Sequence, residues 1–488
     1  MTSDTLPPSS SAASPLVRSI SELPGPPGWP VVGNLFQLDR ARVHQTVEQW
    51  CRRYGPVFQM KLGLTRFVVV SDHEAIGAVL RDRPDGFRRP PRLEVVWREM
   101  GLAPGVFGAN GEAWRRQRRM VMAGFDPSHV RAYFPALSRV TQRLRLRWMK
   151  AAHSASVIDL QSDLMRFTVD AIAGLAFGSE MNTLESDEEA IQQHLDKIFP
   201  AVSRRMLSPL PYWRYLRLPA DRRLERGVLA VNAAVQSFIG KARQRLKADP
   251  QLRQSPANLL EAMIIAADQA DSGVDDHDVA GNVLTMLLAG EDTTANTLAW
   301  MLHLLQRNPL ALQKVQDEVR GVAGGDGPDH VFTQDQLALL DYVEACAHET
   351  MRLKPVGPLN LVQALRDTTV ANVRVPAGGM VWLVMRHDTV QEAHFINPDV
   401  FEPQRWLEES GSGAAPTSAK RVSMPFGAGP RVCPGRYLAL LEMKMAIAML
   451  FNSFDIESVG TDDGSEPLEH LSFTMAPVGL KMRLRARD

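Results

Sequence analysis

The sequence predicts a mainly α-helical fold with a small β-rich subdomain. From about residue 72 to Asn308, apolar residues recur every three or four positions between polar caps, with few glycines, which is typical of helices. After Pro355 the pattern changes to the alternation expected of strands, most clearly from Thr368 to Thr389. No internal repeat and no long linker separates two patterned cores, so we expect one large domain over residues 23–488.

The individual elements are justified in chain order. Residues 1–22 are rich in serine and proline and lack the basic start, apolar run and cleavage site of a secretory signal, so they predict a flexible tail. Leu23 to Pro30 predicts an extended, proline-rich segment packed across a surface. The β-branched residues from Lys61 to Ser71 predict a strand. The stretch from Thr368 to Thr389 contains a Pro-Ala-Gly-Gly turn and predicts a β-hairpin.

Composition excludes several classes of protein. The 488 residues include 55 Lys+Arg and 55 Asp+Glu, so the chain lacks the cationic excess with which nucleic-acid binders neutralise phosphates. No run of about 18 apolar residues occurs, so we expect no membrane span. The three cysteines, Cys51, Cys346 and Cys433, are too few for a disulfide framework. A reducing compartment, the cytoplasm, is the expected location.

Cys433 ends a loop rich in glycine and proline and precedes a helix that is apolar on nearly every face. Pro434 suits a first helical turn, whose unsatisfied N–H groups would favour a thiolate over a thiol. A thiolate is a metal ligand. Gly427, Gly429 and Gly435 would let the backbone approach a large flat ligand, and Arg431 is within reach of an acidic group on it.

Taken alone, the Cys433 loop has other interpretations. The cysteine could simply be buried at a helix start, or it could be a nucleophile. The loop also approaches the phosphate-binding pattern G-x-G-x-x-G, but Val432 occupies the last glycine position.

A second motif interrupts a long helix predicted from about Asp278 to Arg307, capped by Asp275 or Asp276 and ended by Asn308-Pro309. Its otherwise apolar middle contains Gly290-Glu291-Asp292-Thr293-Thr294. Threonine hydroxyls can bend a helix, and Gly290 would leave room for a small molecule, so a groove is expected. By itself this pattern also fits an ordinary threonine-bent helix or a charged exposed stripe.

The Cys433 segment resembles the haem-binding loop of the cytochrome P-450 family, F-x-x-G-x-R-x-C-x-G. The resemblance implies the cytochrome P-450 fold and a haem b cofactor with the Cys433 thiolate as proximal iron ligand. It also implies that Arg431 holds a haem propionate. The loop residues that take part in the match or line the cofactor are Phe426, Gly427, Gly429, Arg431, Cys433 and Gly435.

Two further motifs place residues around the same cofactor. The string from Ala289 to Thr294 resembles the family's oxygen-binding groove, which implies that Asp292 is the acid and Thr293 the alcohol of a proton relay. Trp114 and Arg118 match a family W-x-x-x-R pattern and imply a second contact to the propionates.

A fourth motif implies structural residues. Glu349 and Arg352 match the family's E-x-x-R, and Arg405, within Pro403-Gln404-Arg405-Trp406, is expected to complete their triad. After Arg352 the chain departs from many relatives, because the stretch PVGPLNLVQ has no arginine. We therefore expect lighter haem anchoring on that side.

The resemblance, which runs from near Leu23 to the C-terminal strand region, implies a monooxygenase of the soluble bacterial type that uses O2 as co-substrate. Because no flavin or iron–sulfur domain is visible in the chain, we expect electrons from a separate ferredoxin with its reductase, or from a flavodoxin. Arg115, Arg116 and Arg119 could meet an acidic redox partner. A lipophilic substrate is expected, and the pocket residues placed by the family pattern are Phe107, Met286, Leu359, Asn360, Leu361, Phe473, Thr474 and Met475.

Three alternatives stay open at this point. A peroxide-using haem-thiolate enzyme is disfavoured by Asp292 and Thr293. An enzyme of oxidative coupling or desaturation in a natural-product pathway would share every motif. A non-catalytic haem sensor would show no oxidation that depends on reductant.

Overall fold

The computed structural model describes residues 17–125, 127–178, 181–185, 194–195, 197–208, 210–407 and 419–487. The predicted fold class is confirmed, since helices dominate and strands are few and short. The α-helices are α1 (Val43–Tyr54), α2 (His73–Arg81), α3 (Pro91–Glu99), α4 (Gly111–Gly124), α5 (Pro127–His153), α6 (Leu160–Phe177), α7 (Ile198–Leu207), α8 (Pro219–Ala248), α9 (Leu259–Ala267), α10 (Asp276–Arg307), α11 (Pro309–Ala323), α12 (Gln334–Ala338), α13 (Asp341–Leu353), α14 (Ala419–Val422) and α15 (Arg436–Ser453).

The strands are β1 (Val57–Leu62), β2 (Thr65–Val70), β3 (Phe87–Arg88), β4 (Ile158–Asp159), β5 (Leu359–Ala364), β6 (Thr368–Val370), β7 (Val373–Val375), β8 (Met380–Val384), β9 (Phe454–Gly460), β10 (Glu469–Leu471), β11 (Met475–Pro477) and β12 (Lys481–Ala486). One sheet has the order β1-β2-β8-β5-β3, in which only β2 and β8 are parallel. A second has the order β4-β12-β9, and β6-β7 and β10-β11 are separate pairs.

Helix α10 is the centre of the helical part, and its predicted bounds are confirmed to within two residues. The Asp275 side chain accepts a hydrogen bond from the backbone N–H of Asp278 at 2.9 Å, which caps the helix start. Its N-terminal half packs in an apolar core with α3, α4, α8 and α9, and its C-terminal half in a second core with α5, α11, α13 and α15. The middle of α10 therefore lies where the two cores meet.

The β-rich part differs from the prediction in its turns. The predicted strand from Lys61 to Ser71 is instead a hairpin, because Gly63 adopts a φ of 58° and reverses the chain between β1 and β2. The hairpin predicted around Pro-Ala-Gly-Gly turns earlier, at Ala371 and Asn372, which both have positive φ. The Pro-Ala-Gly-Gly segment instead leads from β7 to β8, which belongs to the large sheet.

The ordered chain begins before the predicted boundary at Leu23. The backbone N–H of Arg18 donates to Asn372 at 2.9 Å, and a short 3-10 helix, Ile20–Glu22, is capped by Ser19. Residues 1–16 of the predicted tail lie outside the described residues. The proline-rich segment does pack on the sheet, since the Gln59 N–H donates to the Pro24 carbonyl at 2.9 Å. Within the described residues, no helix is long and apolar enough to cross a lipid bilayer.

Candidate functional site

The cysteine loop lies between the β-rich part and helix α15. The backbone N–H of Cys433 donates to the Phe426 carbonyl at 2.9 Å, which ties the two ends of the loop together. A Cβ on Gly429 would lie 2.7 Å from the Leu80 carbonyl oxygen, so this glycine is needed for packing on α2 rather than for approach to a ligand. A Cβ on Gly427, which has a φ of 73°, would meet no atom within 4 Å. The loop is therefore open to a ligand at Gly427.

The electrostatic surroundings of the Cys433 sulfur differ from those predicted from the sequence. Helix α15 begins at Arg436 after Gly435, so Pro434 lies before the helix and not in its first turn. The Gly435 N–H bonds the sulfur and Arg118 lies near it, and both effects lower the pKa of Cys433. Burial outweighs them and raises that pKa overall. The protein surroundings alone therefore favour a thiol, and a bound metal cation is needed to displace the proton.

Trp114, Arg118 and Arg431 come together beside the cysteine, as the resemblance implies. Arg118 donates to the carbonyl of Val432, next to the cysteine, at 2.9 Å. The Arg431 guanidinium carbon lies 4.9 Å from the centre of the Trp114 ring. Arg431 also donates to the carbonyls of Val106 and Ala109, yet its Nη1 has no hydrogen-bond partner in the described part of the chain.

Two further arginines, the buried Arg83 and the half-buried Arg89, extend this cluster and were missed by the sequence analysis. Burial lowers the pKa of Arg89 well below its ordinary value, and Arg83 and Arg431 lower it further. The pKa of Arg431 falls to about 9 for the same reasons, with contributions from Arg83 and Arg118. Arg83 Nε and Nη2 and Arg89 Nε are buried without a partner among the described residues.

An uncompensated cluster of buried cations is costly unless an anion joins it. The two carboxylates of a haem b molecule are anions of the right chemistry for such a cluster, so the residues present fit this cofactor. Arg83 and Arg89 belong to none of the motifs found in the sequence. No local signal separates them from the other arginines in the stretch RDRPDGFRRPPR, so only the fold could find them.

The middle of α10 presents the expected acid and alcohol, each held by its own partner. The Thr293 hydroxyl donates to the carbonyl of Ala289, one turn back, at 2.7 Å. The Asp292 carboxylate accepts from the Thr474 hydroxyl and, at 3.3 Å, from the Asn296 amide. Burial raises the pKa of Asp292. A carboxyl with a raised pKa, one residue before a helix hydroxyl, has the properties needed to store and pass on a proton.

The space expected over Gly290 is occupied. A Cβ at Gly290 would lie 3.0 Å from the Ile172 side chain of α6, so this glycine allows two helices to pack closely. A hydrogen bond also links Thr294 of α10 to Glu442 of α15. Burial raises the pKa of the Glu442 carboxyl to about 8. The helix that follows the cysteine therefore contacts the motif on α10.

Glu349, Arg352 and Arg405 form the expected triad, fully buried at its centre. Arg352 makes two bonds of 2.8 Å to the Glu349 carboxylate, and Arg405 Nε makes one of 3.0 Å. Arg352 also donates to the carbonyls of Thr389 and Pro398. These bonds join α13 to the loops that follow β8.

The predicted pocket residues fall into two groups. Phe107, Met286 and Phe473 belong to the apolar cluster around the N-terminal half of α10, where Phe473 stacks on Phe199, a residue the sequence analysis missed. Asn282 of α10 fixes the Phe107 loop by accepting from the Val106 N–H at 2.8 Å. The others, Leu359, Leu361 and Met475, pack in a separate core with the large sheet, and Asn360 pairs with Leu383 in that sheet.

Comparison with known proteins identifies the family of the chain. The Cytochrome P450 family model matches residues 23–484. A bifunctional cytochrome P450/NADPH–P450 reductase of Gibberella moniliformis is 28% identical over 490 residues, covering 98% of this chain and 41% of that protein. The mitochondrial 25-hydroxyvitamin D-1 alpha hydroxylase of Rattus norvegicus is 29% identical over 470 residues, covering 92% of this chain and 91% of that protein.

The fold is similar to solved structures as well. The crystal structure of the cytochrome P450DA haem domain superposes with a TM-score of 0.81 at 24% sequence identity, covering 96% of this chain and 98% of that chain. This chain spans about two-fifths of the length of the reductase-fused relatives that it matches.

The fold brings Cys433 and a group of arginines together around one loop, an arrangement that suits a haem-thiolate protein. The chain belongs to the cytochrome P450 family, which confirms the family predicted from the motifs. Membership assigns it to the oxidoreductases, with haem b held by a cysteine thiolate and with O2 as co-substrate. A protein of this family needs a redox partner, and the bifunctional relative carries a P450 reductase in the same chain.

Proposed function

We propose that the protein is a monooxygenase that inserts one oxygen atom from O2 into a lipophilic small molecule by hydroxylation or epoxidation. The haem supplies the oxidation chemistry when bound, and Cys433 holds it while Arg83, Arg89, Arg118 and Arg431 bind its carboxylates. The observation that carries the proposal is the middle of α10, where Asp292, which has a raised pKa, directly precedes Thr293 in the helix.

In this proposal, Asp292 holds a proton inside the protein and Thr293 passes it to the oxygen site. Thr474 and Asn296 keep the Asp292 carboxyl in place. Phe107, Met286, Phe199 and Phe473 form an apolar surface that suits a lipophilic substrate and keeps water away.

The experiment replaces Thr293 by alanine in the haem-loaded protein. With the hydroxyl gone, we expect reductant and O2 to be consumed but released mainly as hydrogen peroxide, with little oxidised product. Thr297→Ala is the matched control, because Thr297 makes the same kind of bond, to the Thr293 carbonyl at 2.8 Å, one turn further along α10. Equal product per electron in both variants would remove Thr293 from this role.

The reaction class has its own test. A spectral binding screen of lipophilic compounds against the ferric protein finds substrates, and turnover under isotopically labelled O2 shows whether the product gains one labelled oxygen atom. Oxidation without oxygen insertion would indicate coupling or desaturation instead. No reductant-dependent oxidation of any bound compound would indicate a haem sensor.

We propose that a ferredoxin with its reductase, or a flavodoxin, delivers the electrons. Helix α4 supports this, because Trp114 and Arg118 face the cysteine loop while Arg115 and Arg119 are exposed on the same helix. An acidic carrier docked there would lie close to the haem. Arg119→Glu is expected to slow reduction of the protein by ferredoxin, most clearly at low salt, without changing substrate binding. The proposal would be contradicted if the variant left the rates of reduction by ferredoxin and flavodoxin unchanged while a diflavin reductase reduced the protein fast.

We also propose a cytoplasmic location. All three cysteines, Cys51, Cys346 and Cys433, are free in the structure, which suits a reducing compartment. Fractionation of the native cells tests the proposal, and recovery with an organelle or envelope fraction would contradict it.

A further inference from the structure

A second cluster of ligand-type side chains lies outside the haem site. His73 is the first residue of α2, and Asp388 and His394 follow β8 in the chain. The Asp388 Oδ2 atom lies 2.9 Å from Nδ1 of His73 and 3.5 Å from Nε2 of His394. One ligand atom from each of the three residues lies within 4.8 Å of the others.

This cluster is largely enclosed but reachable. The side chains of His73 and Asp388 are 8% and 11% exposed, while that of His394 is 22% exposed. The two imidazole rings meet edge to face with their centres 4.7 Å apart. His73 Nε2 and His394 Nδ1 are buried and have no hydrogen-bond partner in the part of the chain that the structure describes. The other two ring nitrogens, His73 Nδ1 and His394 Nε2, face Asp388 and are the ones placed to bind a metal.

Helix capping explains only part of the arrangement. Asp388 accepts the His73 N–H at 2.8 Å and Asp72 accepts the Ala75 N–H at 2.7 Å, so both carboxylates cap the start of α2. A capping role gives no reason for a second imidazole, that of His394, on the same carboxylate.

The donor set and its spacing suit a zinc ion. Zinc takes imidazole nitrogen and carboxylate oxygen at about 2.0–2.2 Å in tetrahedral geometry, so neighbouring ligand atoms lie about 3.3–3.5 Å apart. The separation of 3.5 Å between Asp388 and His394 lies in that range, and the separation of 2.9 Å between Asp388 and His73 is slightly shorter. We propose that His73, Asp388 and His394 bind one Zn2+ ion, with water as the fourth ligand.

The position of the cluster gives the ion a structural consequence. The residue after Asp388, Thr389, accepts a bond from Arg352 at 2.6 Å, and the residue after His394, Phe395, lies 4.8 Å from the Arg352 guanidinium. Helix α2 in turn packs on the cysteine loop at Gly429. A bound ion would join α2 to the segment that surrounds the buried triad.

The test uses haem-loaded protein without a histidine tag, stripped with a chelator and dialysed against Zn2+. We expect one zinc per haem iron by elemental analysis, and X-ray absorption at the zinc edge showing nitrogen and oxygen but no sulfur ligands. His394→Ala is expected to weaken zinc binding by at least about tenfold while haem content stays unchanged.

His330→Ala is the matched control, because His330 pairs with Asp326 at 3.1 Å and no second histidine joins that pair in the described chain. Asp388→Asn is the second test variant and is expected to lose zinc binding as well. Two results would overturn the proposal. One is the absence of stoichiometric zinc in the wild type, and the other is unchanged zinc affinity in both His394→Ala and Asp388→Asn.

Discussion

Replacing Glu349 by glutamine removes the buried negative charge at the centre of the triad while keeping the shape of the side chain. The carboxylate accepts two bonds from Arg352 at 2.8 Å and one from Arg405 at 3.0 Å. It also accepts from the Trp406 indole at 2.8 Å and the Glu402 backbone N–H at 2.9 Å. Glutamine has one acceptor oxygen, so its NH2 group must face some of these donors.

The structure sets the size of the effect. In the milder orientation, the NH2 group takes the place of Oε2, and Arg352 Nε and Trp406 Nε1 lose their acceptor. A buried donor without a partner costs about 1–3 kcal/mol. Breaking a buried ion pair by removing one partner costs about 3–5 kcal/mol in total. We therefore expect the free energy of unfolding to fall by about 3–5 kcal/mol, a large part of the roughly 5–15 kcal/mol typical of native proteins.

Urea unfolding of the haem-loaded protein, followed by far-UV circular dichroism and by Soret absorbance, measures this loss. Glu466→Gln is the matched control, because its carboxylate is 53% exposed where it meets His303 and Arg307. An exposed pair contributes at most about 1 kcal/mol, so the control should lose little. A loss below about 1 kcal/mol for Glu349→Gln would refute the reasoning.

Three further predictions concern the haem site. Arg89→Leu is expected to stabilise the haem-free protein against urea, because burial disfavours the charged form of this guanidinium and its Nε has no hydrogen-bond partner among the described residues. The same substitution is expected to speed haem loss to apomyoglobin, and slower or equal haem loss would contradict the prediction. The pKa of Glu442 in the folded protein, about 8, exceeds its value in the unfolded chain. As pH rises from 4.5 to 8, the free energy of unfolding of the wild type should therefore fall by up to about 1.4 kcal/mol per pH unit relative to Glu442→Gln. Urea unfolding at pH 5.5 and 7.5 measures this, and a constant difference between the two proteins would contradict the prediction. Thr474→Val removes a hydrogen bond that positions the Asp292 carboxyl and lowers its pKa. The product formed per electron should therefore fall while haem content stays unchanged. An unaltered yield of product per electron would show that Thr474 does not position the acid.

The helical part was predictable because its signals are local. The cap at Asp275 and the stop at Asn308-Pro309 bound α10 in the sequence, and the structure agrees. The turns of the β-rich part were not predictable in this way. Ala371 and Asn372 reverse the chain with positive φ, although the glycine-rich turn nearby is the stronger sequence signal. Pairing of β8 with β2 and β5, remote in sequence, decides between the two.

The candidate site was predictable where a motif has fixed spacing and less so where side chains meet across the fold. Trp114, Arg118 and Arg431 come from two motifs and lie together beside Cys433. Gly290 shows the limit of local reasoning, because the space beside it depends on Ile172, which is more than a hundred residues away. Arg89 is similar, since its place beside Arg83 and Arg431 is set by the fold and not by its neighbours in the sequence.

The central claim is that Cys433 binds haem iron as a thiolate. The most direct measurement is the absorption spectrum of the reduced, haem-loaded protein under carbon monoxide, recorded for the wild type and for Cys433→Ser. We expect a strongly red-shifted Soret band in the wild type and its loss in the variant, since a serine hydroxyl cannot replace the sulfur ligand. A wild-type spectrum without that band, or a variant that keeps it, would contradict the claim.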